Sequence, residues 1–388
     1  MLEFIVLGLS ATASTVSISA TQILLALLII MSAVKLYQTK DFTLFKKSYF
    51  LYFLLMVLAE SLSTIFGADT TNSLKSFFSF WVYFHLFTVY LLFDGRKREK
   101  IFLFFFIGIL MDLGYDAYYF MTSETYVRAN GFLSHALTYG NEMGIMFIAA
   151  CGFLFFTPPS GRKTKILFVL FALSALTALI LSDSRGSIMA AVLTLSAMII
   201  YRFKSKGLVA VAVGLALIFS LMYFDNAVGQ RFKHIGAEIS GGSYTSVGTR
   251  LVLWETTAKA IMAKPLFGYG KGNFEEVIRP MINVPVMSVA HAHNSYLQYT
   301  FTHGFFGLIA LFLFISALFR HIGRAIKENP YAKTALFVLL IYMAEGLTEN
   351  NFTDSEVVMA AFFIIALLIT PLREQGFSLL NKKHSQNQ

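Results

Sequence analysis

Apolar runs of 15 to 28 residues follow one another along the chain, separated by short polar clusters, and the strict two-residue alternation of a half-buried strand never recurs. A hydrocarbon layer about 30 Å thick takes about 20 helical residues to cross. By that measure the pattern predicts spans near 4–19, 22–37, 48–66, 76–93, 101–118, 139–156, 166–182, 187–201, 207–224, 292–318, 334–349 and 356–371. The first two also fit one long kinked segment. The expected fold class is an all-α polytopic integral membrane protein of about twelve transmembrane helices, with residues 1–388 forming a single membrane domain. One connection departs from the rest, a long loop over residues 225–290 between spans nine and ten. Structureless connections beyond about 15 residues are uncommon, so this loop should be partly folded. Leu251, Trp254, Ala258, Ile261 and Met262 fall on one helical face, which predicts an amphipathic helix over the outer mouth of the bundle. Pro265 ends it, and the glycine-rich turn PLFGYGKGNF follows.

Composition supports this architecture and removes other classes. The chain is 56% hydrophobic and only 14% charged, with a mean hydropathy of +0.66, against roughly 25% charged in soluble proteins, which excludes a soluble enzyme. A net charge of +9 would suggest nucleic acid in a soluble chain. Here the cations fall in every second connection: 21 of the 31 lie in the clusters around Lys35–Lys47, Arg96–Lys100, Arg162–Lys165, Arg202–Lys206, Arg320–Lys333 and the tail. Cytoplasmic connections of membrane proteins hold the excess Lys and Arg. Both termini are therefore expected in the cytoplasm, with the long loop on the opposite side and membrane lipids, not nucleic acid, as surroundings. The single Cys151 makes no intramolecular disulfide, and no basic region precedes the first apolar run, so no cleaved signal peptide is expected.

Several residues do not belong in a lipid-facing helix. Arg185, in SDSRGS, sits between spans seven and eight, which together give about 54 Å of helix where two crossings need about 60 Å. The turn should lie at the outer boundary, where the guanidinium either snorkels or pairs with Asp183, or binds an anion. Arg250 opens the loop helix four residues before Trp254, so it either stacks on that indole or joins Arg185 in a clamp, a fork suited to phosphate oxygens. Lys271, in the glycine-rich turn, is a supporting cation, although the turn lacks the ending and preceding strand of a P-loop. His291 and His293 enter span ten in AHAHNSYLQYTFTHGFFG. Residues two apart on a helix diverge by about 200°, so both serve one pocket only if the helix begins between them. A His here suits general-base work on an alcohol, or it bonds to a neighbouring helix, as His303 and His85 are expected to do. Asp354 and Glu356 have metal-pair spacing, but an exposed loop explains them. Glu60, Asp112, Glu142 and Glu345 should pair internally.

SDSRG between two helices, GTRLVLWETTAKAIMAKPLFGYGKGNF in the long loop, and HAHNSYLQYTFTHGFFG entering a helix together resemble the O-antigen ligase family of the bacterial inner membrane. The family's signature is His followed by Asn, Ser or Gln, nine residues, then GxxG; His293, Asn294 and Gly304 to Gly307 match it in full. RANGFLSHALTYGN is similar more weakly. The resemblance implies transfer of a glycan from undecaprenyl diphosphate to a sugar hydroxyl of the lipid A core at the periplasmic face of a Gram-negative inner membrane. It further implies Arg185 and Arg250 on the diphosphate and His293 as base, with His291, Asn294, Trp254 and Lys271 in support. Inversion at the anomeric carbon and no metal or other cofactor are expected, since two guanidiniums replace the ion. O-antigen polymerases share the donor and are the alternative. A lipid-linked glycan transporter is a third reading, against which stand the lack of an internal repeat and the clustering of Arg185, Arg250 and His293 on one side.

Overall fold

The computed structural model describes residues 1–123, 127–159, 161–223 and 242–372, with side chains of 215–223 excepted. Every regular element among them is helical. In chain order these are α1 (Leu2–Val16), α2 (Ile18–Thr39), α3 (Ser48–Ile65), α4 (Thr70–Ser76), α5 (Phe84–Leu92), α6 (Arg98–Thr122), α7 (Ala136–Phe156) and α8 (Arg162–Leu181). Then follow α9 (Arg185–Phe203), α10 (Ser205–Tyr223), α11 (Ser246–Ala263), α12 (Phe274–Ile278), α13 (Ser295–Ala325), α14 (Ala332–Glu345) and α15 (Ser355–Ile369). Seven of them, α2, α3, α6, α7, α8, α9 and α13, are long and apolar enough to cross a membrane, so the chain is a polytopic helical membrane protein.

α7 and α15 are the centre of the bundle. Nearly every side chain of α15 is buried, and α7 is covered from Thr138 to Phe153. α7 achieves this with small residues: a Cβ at Gly140 would stand 2.6 Å from Ser184, and one at Gly144 2.6 Å from Glu345 Oε1. Neighbouring helices can thus approach closely where lipid gives no hydrophobic drive for packing. The periphery is the reverse. Ile23, Ile30, Leu173 and Leu193 are more than half exposed, which is tolerable only against hydrocarbon.

Ser17 separates the first two predicted spans, accepting the N–H of Ala20 as the N-cap of α2. The predicted span 76–93 is not one helix: α4 and a 3₁₀ stretch, Phe77–Tyr83, precede the nine-residue α5. Three residues per turn stack positions three apart, which lines up Phe77, Phe80 and Tyr83, and Phe53 of α3 packs on the last two. Aromatic packing decides the form there, not the hydropathy that predicted a helix. The 225–241 part of the long loop lies outside the described residues, and the remainder is folded back onto α13.

Candidate active site

The segment Ala290–Ser295 is held from four sides before α13 begins. Asn294 caps the helix, its Oδ1 accepting from Tyr296 and Leu297 N–H, while its amide nitrogen donates to the Leu347 carbonyl. Ser295 donates from its backbone to the Gly346 carbonyl, and its hydroxyl meets the Glu349 carbonyl and Asn351 Oδ1. Trp254 Nε1 donates to the Ala292 carbonyl, whose own N–H goes to Gln298 Oε1. Asn294 and Ser295 therefore dock the start of α13 onto the turn after α14, and this docking brings Glu349 to His293.

His293 adopts φ +48, a left-handed conformation that costs a non-glycine residue energy and marks sites where the surroundings over-determine the backbone. Its Nδ1 lies 3.3 Å from Glu349 Oε2, and Arg250 Nη2 is 2.5 Å from Glu349 Oε1. Glu349 is 2% exposed; a carboxylate so buried needs its cation, and Arg250 supplies it. Arg250 does not stack on Trp254 as one sequence expectation held: the guanidinium reaches Glu349 and the indole reaches Ala292.

Both histidines belong to this cluster. The helix begins after Asn294 and not between the two, so the helical divergence does not separate them; the rings of His291 and His293 are 4.2 Å apart between centroids. Burial, then the positive fields of His293, His135 and Arg250, pushes the His291 imidazole down to about 4. His291 is therefore neutral at pH 7 and too weak a base to take a proton from an alcohol. His291, His293 and Glu349 offer ligand atoms within 4.8 Å of one another, close enough to surround one metal ion; against that, Glu349 is already engaged by a guanidinium.

Arg185 is exposed in the first turn of α9. A Cβ at the adjacent Gly186 would collide with the Thr348 hydroxyl, so the turn carrying Arg185 presses on the residue beside Glu349. The serines of SDSRGS are held inside the bundle. Ser184 and Ser187 bond to each other at 2.7 Å, Ser187 Oγ is 2.5 Å from Asn141 Oδ1, and all are buried. Arg128, of the RANG segment, donates to the carbonyls of Ser182 and Asp183 at 2.9 Å each and so closes the end of α8. Asn130 and Gly131 donate their N–H to Asp116.

The glycine-rich turn also has a structural task. Gly304 interrupts α13 at φ +66, ψ −173. The break leaves the carbonyls of Phe301 and Thr302 without helical donors, and Tyr269 and Gly270 N–H fill them at 2.9 and 3.0 Å; Phe305 N–H in turn donates to Pro265. A Cβ on Gly304 would strike the Leu266 carbonyl, which explains the first glycine of the signature physically. The N–H groups of Tyr269 and Gly270 are thereby spent. Lys271 meets Ser79, half-buried, in a cavity of about 30 Å³ lined also by Glu60 and His303 and not by His293; its partial burial lowers its affinity for a proton, opposed by Glu60 and Asp354.

α11 turns a different face inward than the pattern predicted. Thr249, Leu253, Thr256, Thr257 and Ala260 are buried, and of the predicted face Ile261 is buried with them, whereas Leu251 and Met262 are 51% and 71% exposed. The small inward residues allow close packing on Val289, Ala292 and Phe301. FTDSEV is not an exposed loop either: Asp354 caps α15, accepts from Thr138 Oγ1 at 2.7 Å, and Glu356 is buried. Glu349, His135 and Arg128 are the site residues that sequence reasoning passed over; the polar turn GLTENN closing an apolar span was the available signal for the first.

Residues 167–312 match the family model described as O-antigen ligase. That stretch is an O-antigen ligase segment, the family the motifs resemble. It contains Arg185, Arg250, His291, His293 and the Gly304 break, and it stops short of Glu349. The match covers less than half of the chain, and it ties that segment to glycosyl transfer in O-antigen assembly, of ligase or polymerase type. No curated protein matches the chain.

Proposed function

We propose that the protein is an O-antigen ligase that transfers a glycan from undecaprenyl diphosphate to a sugar hydroxyl of the lipid A core, at the periplasmic face of the inner membrane. The observation that carries this reading is the convergence of His293, Glu349 and Arg250 at one end of the bundle, within and beside the family segment. His293 Nδ1–H donates to Glu349, which leaves Nε2 as the free base. Nε2 takes the proton of the acceptor hydroxyl as its oxygen attacks the anomeric carbon. The bond from that carbon to the diphosphate oxygen breaks, and the electron pair leaves with undecaprenyl diphosphate. Attack from the opposite side inverts the centre.

The leaving group gains negative charge as the bond breaks, so donors placed on it act mainly in the transition state. A guanidinium has five N–H groups in a fork; Arg250 keeps one on Glu349 and offers others to phosphate oxygens, with Arg185 on the neighbouring turn as the second clamp. His291, neutral in this setting, donates to or accepts from the sugars without competing for the proton. A bundle end at the membrane boundary admits two amphiphiles laterally while their sugars stay in water.

The test is transfer in detergent with undecaprenyl-diphosphate glycan, rough lipopolysaccharide and EDTA. Ligase chemistry yields modified acceptor, undiminished by EDTA. Longer donor-linked chains with unmodified acceptor mean a polymerase. Loss in EDTA that a divalent ion restores would place a metal among His291, His293 and Glu349. No chemistry from folded protein with authentic substrates would favour the transporter.

A further inference from the structure

At the end of the bundle opposite His293 lies a cavity of about 750 Å³ whose walls carry Lys46, Lys47, Arg320, Arg324 and a single acidic side chain, Glu328. The two lysines come from the 3₁₀ turn before α3 and from the residue that caps it; the two arginines are one helical turn apart near the end of α13, which packs along α3. Two neighbouring helices thus aim four cations at one space. A topology signal needs basic residues at this side of the membrane, but it does not need them to converge on a concavity, where like charges repel.

Two further features point to an anion. The N-terminus of α3 opens on the cavity through Lys47 and Ser48 and has no side-chain cap, so the positive end of its dipole faces the same space. The capping work at this end is already done elsewhere: Arg98, buried, gives its N–H groups to the carbonyls of Leu367, Gly95 and Thr370, closing α15. The cluster of Lys46, Lys47, Arg320 and Arg324 is not spent on that task.

The cavity also has an apolar side, with Tyr49, Tyr90 and Ile369 in its wall. Phe42 and Phe45, in the turn that carries Lys46, are 51% and 40% exposed. A bare inorganic anion needs neither that surface nor that volume, whereas a lipid headgroup with the start of its chains uses both. Pockets of about 300–1,000 Å³ suit such ligands, and basic pockets between transmembrane helices on the cytoplasmic side are a recurring way to hold anionic headgroups. We infer that this cavity binds the phosphodiester headgroup of an anionic lipid from the leaflet on its own side of the membrane. The inference goes beyond glycan transfer and does not depend on it.

The experiment is lipid binding to the full chain in an uncharged detergent, followed by native mass spectrometry, with phosphatidylglycerol and phosphatidylcholine of identical chains and, separately, inorganic phosphate. Phosphatidylglycerol should bind at least about tenfold tighter, and each cation removed should weaken it about fivefold. Arg320→Gln with Arg324→Gln tests one wall and Lys46→Gln with Lys47→Gln the other, so that misfolding of one variant leaves a second reading. Lys163→Gln, a basic residue on the same side but outside the cavity, should bind as wild type does. Equal affinity for the two lipids, wild-type affinity in either folded double variant, or an equal loss in Lys163→Gln overturns the inference. Displacement of phosphatidylglycerol by millimolar inorganic phosphate, with saturable phosphate binding, would also overturn it and make the ligand a soluble phosphate.

Discussion

His293 and His303 each face a glutamate, and the two pairs lie at either end of the outer segment of α13. His303 is sealed: it is 2% exposed, its Nε2 lies 2.7 Å from Glu60 Oε2 on α3, its ring sits 4.2 Å from that of Tyr299, and the adjacent cavity holds about 30 Å³, room for a water. His293 is half-buried outside the helix, its backbone in the left-handed region, its glutamate shared with Arg250 and its ring beside His291. The residue types are the same. What differs is access and company: the closed pair ties α3 to α13 next to the Gly304 break, and the open pair has a free ring edge and a guanidinium paired with its carboxylate. On this account His303 is a fastener within α13 and His293, just before the helix, is the proposed base.

The largest expected effect that separates the pairs is on chemistry. His293→Ala should lower transfer by about 10²–10⁴-fold, the range for loss of a general base, with the protein folded and the donor still bound. His303→Ala should cost about 1–3 kcal/mol of stability, because Glu60 is left buried without its partner, and should change turnover per folded molecule only a few-fold. Thermal unfolding and single-turnover transfer on the same preparations distinguish the two. Next in size, Glu349→Gln should lower kcat about 10²-fold by losing the carboxylate that orients His293, whereas Glu60→Gln should act on the unfolding temperature. If Glu60→Gln instead removed activity and Glu349→Gln did not, the two roles would be reversed.

Smaller losses are expected from the clamp. Arg185→Lys and Arg250→Lys keep charge and lose the fork, so each should reduce transfer at least about tenfold; wild-type rates would remove the diphosphate role. His291→Ala should be milder than His293→Ala. Burial lowers His291 from 6.5 to about 4, so below pH 6.5 the unfolded chain takes up a proton that the native chain refuses. Stability should therefore fall as pH drops from about 6.5 to about 4 and gain nothing from this group above that window. His291→Ala should flatten that part of the stability profile, which a melting series in pH would register.

Much of this was legible in the sequence, and the failures share a cause. Apolar run length gave the helices, and the spacing from His293 to Gly304 gave the segment that the family model matches. Hydropathy did not see the 3₁₀ stretch at Phe77–Tyr83, where ring packing on Phe53 sets the turn. Periodicity chose the bulky face of α11 as the buried one, although close approach to α13 selects Thr249, Thr256, Thr257 and Ala260. Glu349 was passed over because the polar turn GLTENN marks it only weakly; its meaning comes from Asn294 and Ser295, more than fifty residues earlier, binding the turn that carries it. Contacts between distant segments decide which polar residues become a site, and run length or spacing does not encode them.

The most direct test of the roles assigned to the two pairs is single-turnover glycan transfer by His293→Ala and His303→Ala at equal concentrations of folded, donor-loaded protein. Loss of about 10²-fold or more confined to His293→Ala is the predicted result. Equal losses in both variants, or near-wild-type transfer by His293→Ala, would contradict the assignment of the base.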